Sequence, residues 1–405
     1  MSEAAAAPRG WRAFPGIFIV FLRLGLTAFG GPVAHLAYFH AELVRRRKWL
    51  AEAAYADLVA LCQFLPGPAS SQVGMAIGLV RGGYPGAFAA WLGFTLPSAL
   101  AMLSAGVGLA RFHDRIPPGA LHGAKAVAVA VVAHAAWGMA KPHLRDARRM
   151  ALVAVCAGAT LAFPLVPVHA ALLVGAAAIG FFWIRPTGLP SAEPLPHGLR
   201  RRDAVGFLVA HGAMLIVLPV LAAGFPRGGM PMVDTMYRTG SLVFGGGHVV
   251  LPLLRAAVVP RGWIDGDVFL AGYAAAQAVP GPLFSFAAFL GATMKEGPTG
   301  WIGGVVALVA MFLPGFAVVA GALPFWERLR VHARAQSAIA GANTAVVGML
   351  VATLVHPIGS STVHGGWDVV VLVAAGIALG TARMPVWSIV LLGGLLGAGV
   401  EAIRR

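Results

Sequence analysis

Two short motifs hold the residues best suited to chemistry. QFLPGPASSQ (Gln63–Gln72) and QAVPGPLFSF (Gln277–Phe286) each set a Pro-Gly-Pro triplet midway along an apolar stretch. The triplets are Pro66, Gly67 and Pro68, and Pro280, Gly281 and Pro282. Proline removes a backbone donor, and its ring clashes with the carbonyl four residues earlier, so a helix is expected to break at each triplet. In lipid the freed backbone groups must face protein or a water-filled cavity. The second half-helix then opens with unpaired N–H groups and a partial positive charge. At Ala69–Ser71 and Leu283–Ser285 this predicts an anion-binding end, with the Ser71 and Ser285 hydroxyls as further donors. Gln63 and Gln277 precede the triplets at the same spacing. A kink that only shapes packing is the plainer alternative; two copies at equivalent positions favour binding.

A second pair, TAFGGPVAH (Thr27–His35) and LVFGGGHVV (Leu242–Val250), supplies Gly30 and Gly31, and Gly245 and Gly246. Adjacent glycines permit either close helix crossing or an interruption with free amides, and the residue types leave both open. Arg23 and Arg238 each lie six residues before the phenylalanine of this motif. A cation in the middle of a bilayer costs at least about 2.5–3.5 kcal/mol, so it needs a partner or a substrate, and a guanidinium fork suits oxyanions. These two are therefore expected as a matched pair of buried cations, with pairing to Asp57 as the structural alternative. Asp57 is the first-half carboxylate best placed for proton coupling; its counterpart is Ala271. Lys125 is expected to snorkel, and His134 and His211 to be satisfied helix–helix donors. His35 and His248 follow the double glycines at different offsets.

Enzymes fare badly: HExxH, P-loop and aspartate-rich diphosphate motifs are all missing, and the 15 carboxylates are read as lying almost entirely in loops. No cofactor or metal is expected. Cys62 and Cys156, both in apolar sequence, suggest no disulfide framework.

These motifs need elements to hold them. Of 405 residues, 59% are hydrophobic and 11% charged, and mean hydropathy is +0.80. A soluble domain has about 25% charged residues. Apolar runs of 18 to 25 residues recur along the chain, each long enough for a hydrocarbon core of about 30 Å. The chain reads as an all-α polytopic membrane protein, and weak period-2 alternation argues against a barrel. The net charge of +15 sits mostly in short loops, where it anchors to anionic lipid or attracts an anionic solute; nucleic acid is not expected. The opening residues MSEAAAAPRGWRAF read as an uncleaved cytoplasmic tail.

The motifs are parts of one duplication. Arg23, Gly25, Phe29, Gly30 and Gly31 match Arg238, Gly240, Phe244, Gly245 and Gly246; Trp49 matches Trp263, and the Pro-Gly-Pro triplets match each other. Leu96-Pro97 matches Leu313-Pro314, and Gly123-Ala124 matches Gly341-Ala342, with offsets drifting only from 214 to 218. Candidate spans fall at about 14–44, 55–80, 86–110, 119–140, 150–164 and 167–184, and again at about 236–254, 268–294, 300–322, 338–356, 367–381 and 384–400. One unmatched run, 204–224, brings the total to about 13. The expected organisation is a first repeat over 1–184, a linker with the extra span over 185–229, and a second repeat over 230–405. Six crossings plus one make the repeats inverted. Cations in loop 141–149 without a counterpart in 357–366 support this; the cations Arg45–Lys48 oppose it. If each triplet tips a re-entrant hairpin, the count instead gives parallel repeats.

Taken as an ordered set, the double glycines, Trp49-Leu50 and Trp263-Ile264, the Q-x-x-PGP motifs and the later Leu-Pro pairs resemble the chromate ion transporter family in its two-domain, long-chain form. The resemblance covers about 14–180 and 230–400. It implies a multi-pass carrier of the bacterial inner membrane that exports chromate, confers resistance and draws on the proton-motive force, with sulfate as analogue and competitor. Pro32 follows the first double glycine where Gly247 follows the second, which puts equal participation of the halves in doubt. Helix N-termini and arginine suit any tetrahedral dianion, so a sulfate or other oxyanion carrier of the same fold stays open, as do a non-transporting membrane scaffold and a homodimer.

Overall fold

Proline and glycine set where the helices stop. The computed structural model describes residues 9–112, 117–141, 146–163, 165–184, 199–243, 250–326, 332–362, 365–381, 384 and 386–404, and among these every regular element is helical. Helix α1 (Phe14–Thr27) ends at Ala28, and Gly30 and Gly31, with φ of 100° and 79°, turn the chain into α2 (Gly31–Phe39). Those angles are open to glycine and strained for a residue with a Cβ. The Phe21 and Phe39 rings meet edge to face at 5.6 Å. Eighteen residues of unbroken helix would span about 27 Å, so the chain doubles back at the double glycine. After a π-helical turn over His40–Arg46, α3 (Glu52–Phe64) runs into the first Pro-Gly-Pro, which joins it to α4 (Ala69–Phe112). Helix α4 itself reverses at the non-helical Gly83 into arms 69–82 and 84–112, which brings Gly78 against the carbonyl of Gly86.

Helices α5 (Pro118–Ala140), α6 (Ala147–Ala162), α7 (Val166–Trp183) and α8 (Arg201–Gly224) follow. The second half repeats the plan with α9 (Met230–Leu242), α10 (Val250–Val258), α11 (Gly266–Ala278), the second triplet, α12 (Phe286–Thr293) and α13 (Gly300–Ala322). Gly272 lies against the Phe289 ring, and the Phe269 and Phe286 rings are 5.2 Å apart, so α11 and α12 also fold back on one another. With 13 and 8 residues these arms measure about 20 and 12 Å, well short of a ~30 Å core. The single crossing expected over 268–294 is therefore corrected to two arms of a hairpin tipped by the triplet. In the first half, α3 likewise packs on α4, the helix that follows its triplet.

The duplication extends to contacts. Gly25 abuts the Phe94 carbonyl as Gly240 abuts that of Met311, and Gly78 meets Gly86 as Gly291 meets Gly303. The later helices are exchanged between halves. Helix α14 (Ala333–Thr353) packs on α6 and α7, while α5 packs on α15 (Gly366–Thr381) and α16 (Val386–Arg404). Both exchanges rest on glycine: Gly123 touches the Gly393 carbonyl, and Gly341 that of Ala176. Helices from the two sides of 184–230 thus interlock. Six of the described helices are long and apolar enough to cross a membrane, with four shorter apolar ones, so lengths of this kind do not reach the expected count of about 13. Outward residues such as Phe182, Ile216 and Leu395 are apolar and exposed, the surface a lipid solvent selects.

Candidate functional site

The two Pro-Gly-Pro breaks each make a junction with the other repeat. The Gly67 N–H donates to the Val243 carbonyl at 2.6 Å, and the Gly281 N–H donates to the Ala28 carbonyl at 3.0 Å. Ala28 and Val243 each precede a double-glycine motif. Each triplet therefore docks on the residue that leads into the double-glycine motif of the other half. The surroundings match as well: a Cβ on Gly67 would stand 3.2 Å from Gly315 Cα, and one on Gly281 3.0 Å from Ser98 Oγ. Gly315 and Ser98 are equivalent, each following a Leu-Pro pair. Both triplet glycines have positive φ, 131° and 102°, so the turns that present these N–H groups favour glycine.

Buried polar groups gather between the two junctions. Beyond Pro68, α4 opens with Ala69, Ser70 and Ser71, and the first backbone bond in this turn is Gln72 N–H to the Pro68 carbonyl at 2.8 Å. Ser70, Ser71 and Gln72 are all buried. Ser70 Oγ lies 3.3 Å from His35 Nδ1, and the His35 ring stands edge-on to Phe94 at 5.2 Å. The Phe94 carbonyl in turn faces Gly281. A short chain of contacts thus links the start of α4 to the second junction. Gln72 Nε2 donates to the Pro66 carbonyl at 2.8 Å and reaches the Gly315 carbonyl at 3.4 Å. Among the described residues Ser71 Oγ, Gln72 Oε1 and Thr95 Oγ1 are buried without a hydrogen-bond partner. Such orphaned groups cost about 1–3 kcal/mol each, which a polar ligand or ordered water would recover. An N-terminal turn with a spare buried hydroxyl suits an anion.

The other residues singled out in sequence divide. Ser285 is buried, but its hydroxyl is used within its own turn, donating to Pro282 at 2.8 Å; the two serines are not equivalent. Gln63 is exposed, whereas Gln277 is hydrogen-bonded to Tyr273. Gly245, Gly246 and His248 lie outside the described residues. Asp57 is buried on α3 and is not a free group. The expected pair of buried cations needs correction. Arg23 is exposed on the outward side of α1, whose inward side is Ile17, Val20, Phe21 and Leu24. Arg238, with a side chain 40% exposed, is bonded to Asp234 one turn earlier. Lys125 is buried and paired with Asp267 at 2.8 Å instead of snorkelling. His134 is exposed, and His211 meets the Tyr237 hydroxyl at 2.8 Å as a helix–helix contact.

Carboxylates are less confined to loops than expected: Asp57, Asp234 and Asp368 are buried on helices. Asp234 is tolerated there by an ion pair with Arg238, and Asp368 by a hydrogen bond with His122. Sequence reasoning also passed over Gln72, Thr95, Ser98 and Asp234. The Asp234–Arg238 spacing of four residues on one helix was a usable signal. The polar residues of α4 carry none, since their interest lies in what faces them.

Comparison with known proteins bears on what these junctions serve. The model of the chromate transporter family matches residues 16–181 and 230–398. A chromate transport protein of Pseudomonas aeruginosa is 29% identical over 381 residues, 87% of this chain and 82% of the relative. A probable chromate transport protein of Synechococcus elongatus is 25% identical over 358 residues, 85% of this chain and 84% of its own. An uncharacterized transporter of Bacillus subtilis is 34% identical over 158 residues, which are 38% of this chain but 78% of that protein. No solved structure matches.

Proposed function

We propose, because the chain belongs to the chromate transporter family, that it is a secondary active carrier of a tetrahedral oxyanion, with chromate as substrate, export from a bacterial cell as direction and chromate resistance as consequence. The family makes it an anion transporter, and the apolar helices make it a multi-pass membrane protein; substrate, direction and energy source are the proposal. One observation carries it: at the start of α4 the buried, unpartnered Ser71 hydroxyl sits beside the free amides of the first turn. These donors can replace part of the water shell of a dianion without introducing a counter-charge that would hold it too tightly for release.

The ion would lie between chain breaks joined across the repeats by backbone hydrogen bonds, Gly67 to Val243 and Gly281 to Ala28. Such joints hold a tip in place yet can part at modest cost, about 1 kcal/mol net per bond, as alternating access requires. The repeats are read as inverted. If both breaks of each half act as hairpin tips, the crossings between equivalent points would be the second arm of α4, α5, α6, α7 and α8, an odd count that supports inversion. Hairpins entering from opposite faces would then meet tip to tip. Arg23 and Arg238 lie five residues before the junction carbonyls of Ala28 and Val243 and would add positive potential on the approaches. Asp57, on the arm leading to the first triplet, is the candidate proton carrier.

The test is uptake of labelled chromate into proteoliposomes of the full chain, under an imposed pH gradient or membrane potential, with sulfate, molybdate and phosphate as competitors. Saturable flux driven by either gradient is expected; absence of flux of any of these oxyanions would overturn the proposal.

A further inference from the structure

A second polar site opens where three loops converge at one end of the second half. Asp234, Arg238, Arg261, Trp263 and Glu296 line an open cavity of about 340 Å³ together with Pro219 and Pro226, far above the ~30 Å³ share of one water. Arg261 donates to the Thr235 hydroxyl at 3.0 Å and stacks over the Trp263 ring at 4.9 Å. Trp263 is buried and fixed by Glu296, which accepts from its Nε1 at 3.1 Å. The two guanidiniums therefore border the same cavity on braced elements. Asp234 is 2% exposed; one of its oxygens holds Arg238 and the other, Oδ1, has no partner among the described residues.

The first half shows what is special here. Arg47, the counterpart of Arg261, also lies over its tryptophan, but it is neutralised by Glu42 at 2.7 Å. The position matching Glu42 is Ala257, and the position matching Asp234 is Ile19. The second half has thus removed the carboxylate from one arginine and supplied one to the other. Around Asp234, the facing ionisable groups are Arg238 on its own helix, His211 on α8, Arg227 between α8 and α9, Arg261 after α10, and Glu296 before α13, which itself carries none.

We propose that this cavity is an outer oxyanion site, separate from the junctions, in which Arg261 and Arg238 take a phosphate- or sulfate-like group and Asp234 holds Arg238 in its absence. It rests on the carrier reading for the choice of ion. Anion and carboxylate compete for Arg238, so protonating or neutralising Asp234 strengthens anion binding. A free ion and a lipid phosphate offer the same chemistry.

The experiment is sulfate titration calorimetry on the full chain in a phosphate-free sugar detergent, since sulfate stays a dianion as the pH is lowered and any pH dependence then belongs to the protein. Arg261→Gln, an exposed change, is expected to weaken this binding about tenfold or more. Asp234→Asn is expected to tighten it and to flatten its rise toward lower pH. A parallel arm measures thermal stabilisation by added phosphatidylglycerol; stabilisation lost in Arg261→Gln, without sulfate binding, assigns the site to lipid phosphate. Wild-type behaviour of Arg261→Gln in both arms, or weaker sulfate binding in Asp234→Asn, would overturn the site. Failure of the carrier reading looks different: wild-type vesicles would carry no oxyanion while the Arg261-dependent binding persisted.

Discussion

Replacing Gly67 with alanine strikes the first junction at its narrowest point. The residue has φ of 131°, and its added Cβ would stand 2.5 Å from Gln72 Nε2 and 3.2 Å from Gly315 Cα. The backbone strain costs about 1–3 kcal/mol, and crowding two packed neighbours adds about 1–3 kcal/mol. Gln72 cannot simply swing away, because the same nitrogen holds the Pro66 carbonyl. Even a total of about 2 kcal/mol would depopulate the closed junction roughly thirtyfold. Gly83→Ala is the control: φ of 66° brings comparable strain, yet nothing lies within 4 Å of its Cβ. Thermal unfolding in detergent and chromate flux in proteoliposomes are measured side by side. Gly67→Ala is expected to lose flux and to melt below Gly83→Ala. Equal melting and equal flux in the two variants would refute the junction as described.

Three further outcomes follow from the same geometry. Ser71→Ala removes a buried hydroxyl that has no partner among the described residues, so it should leave the melting temperature unchanged while raising the half-saturating anion concentration about ten- to a hundredfold, read from flux kinetics. Gly281→Ala, with its Cβ 3.0 Å from Ser98 Oγ, should impair flux as Gly67→Ala does if both junctions work, and a normal rate would assign transport to the first alone. Gly123→Ala would press on the Gly393 carbonyl, whereas Gly138→Ala on the same helix meets nothing within 4 Å; only the former should lower the melting temperature, by an overpacking cost of about 1–3 kcal/mol.

The Pro-Gly-Pro breaks were legible because their cause is local: two prolines around a glycine stop a helix, whereas the single prolines Pro97 and Pro314 lie inside α4 and α13. Fold-back of the chain was not, since the angle between two half-helices depends on what they pack against, here Phe21 on Phe39 and Gly272 under Phe289. The partner of each triplet was equally hidden. A hydrogen bond from Gly67 N–H to the Val243 carbonyl involves no side chain, so it leaves no residue-type signature. The difference between Gln63 and Gln72 was hidden for a related reason: both flank the same motif, and only helix phase decides that Gln63 is exposed while Gln72 is buried against Pro66 and Gly315. Arg23 and Arg238 were correctly matched in sequence, but equivalence in sequence did not carry over to environment, because the second half alone supplies Asp234.

The most direct measurement is anomalous diffraction at the chromium edge from crystals of the full chain grown with chromate. A chromium peak within hydrogen-bonding reach of Ser71 Oγ and the first amides of α4 is the expected result. Chromium only at the Arg238–Arg261 cavity or at the membrane-facing surface, with none at the start of α4, would contradict it.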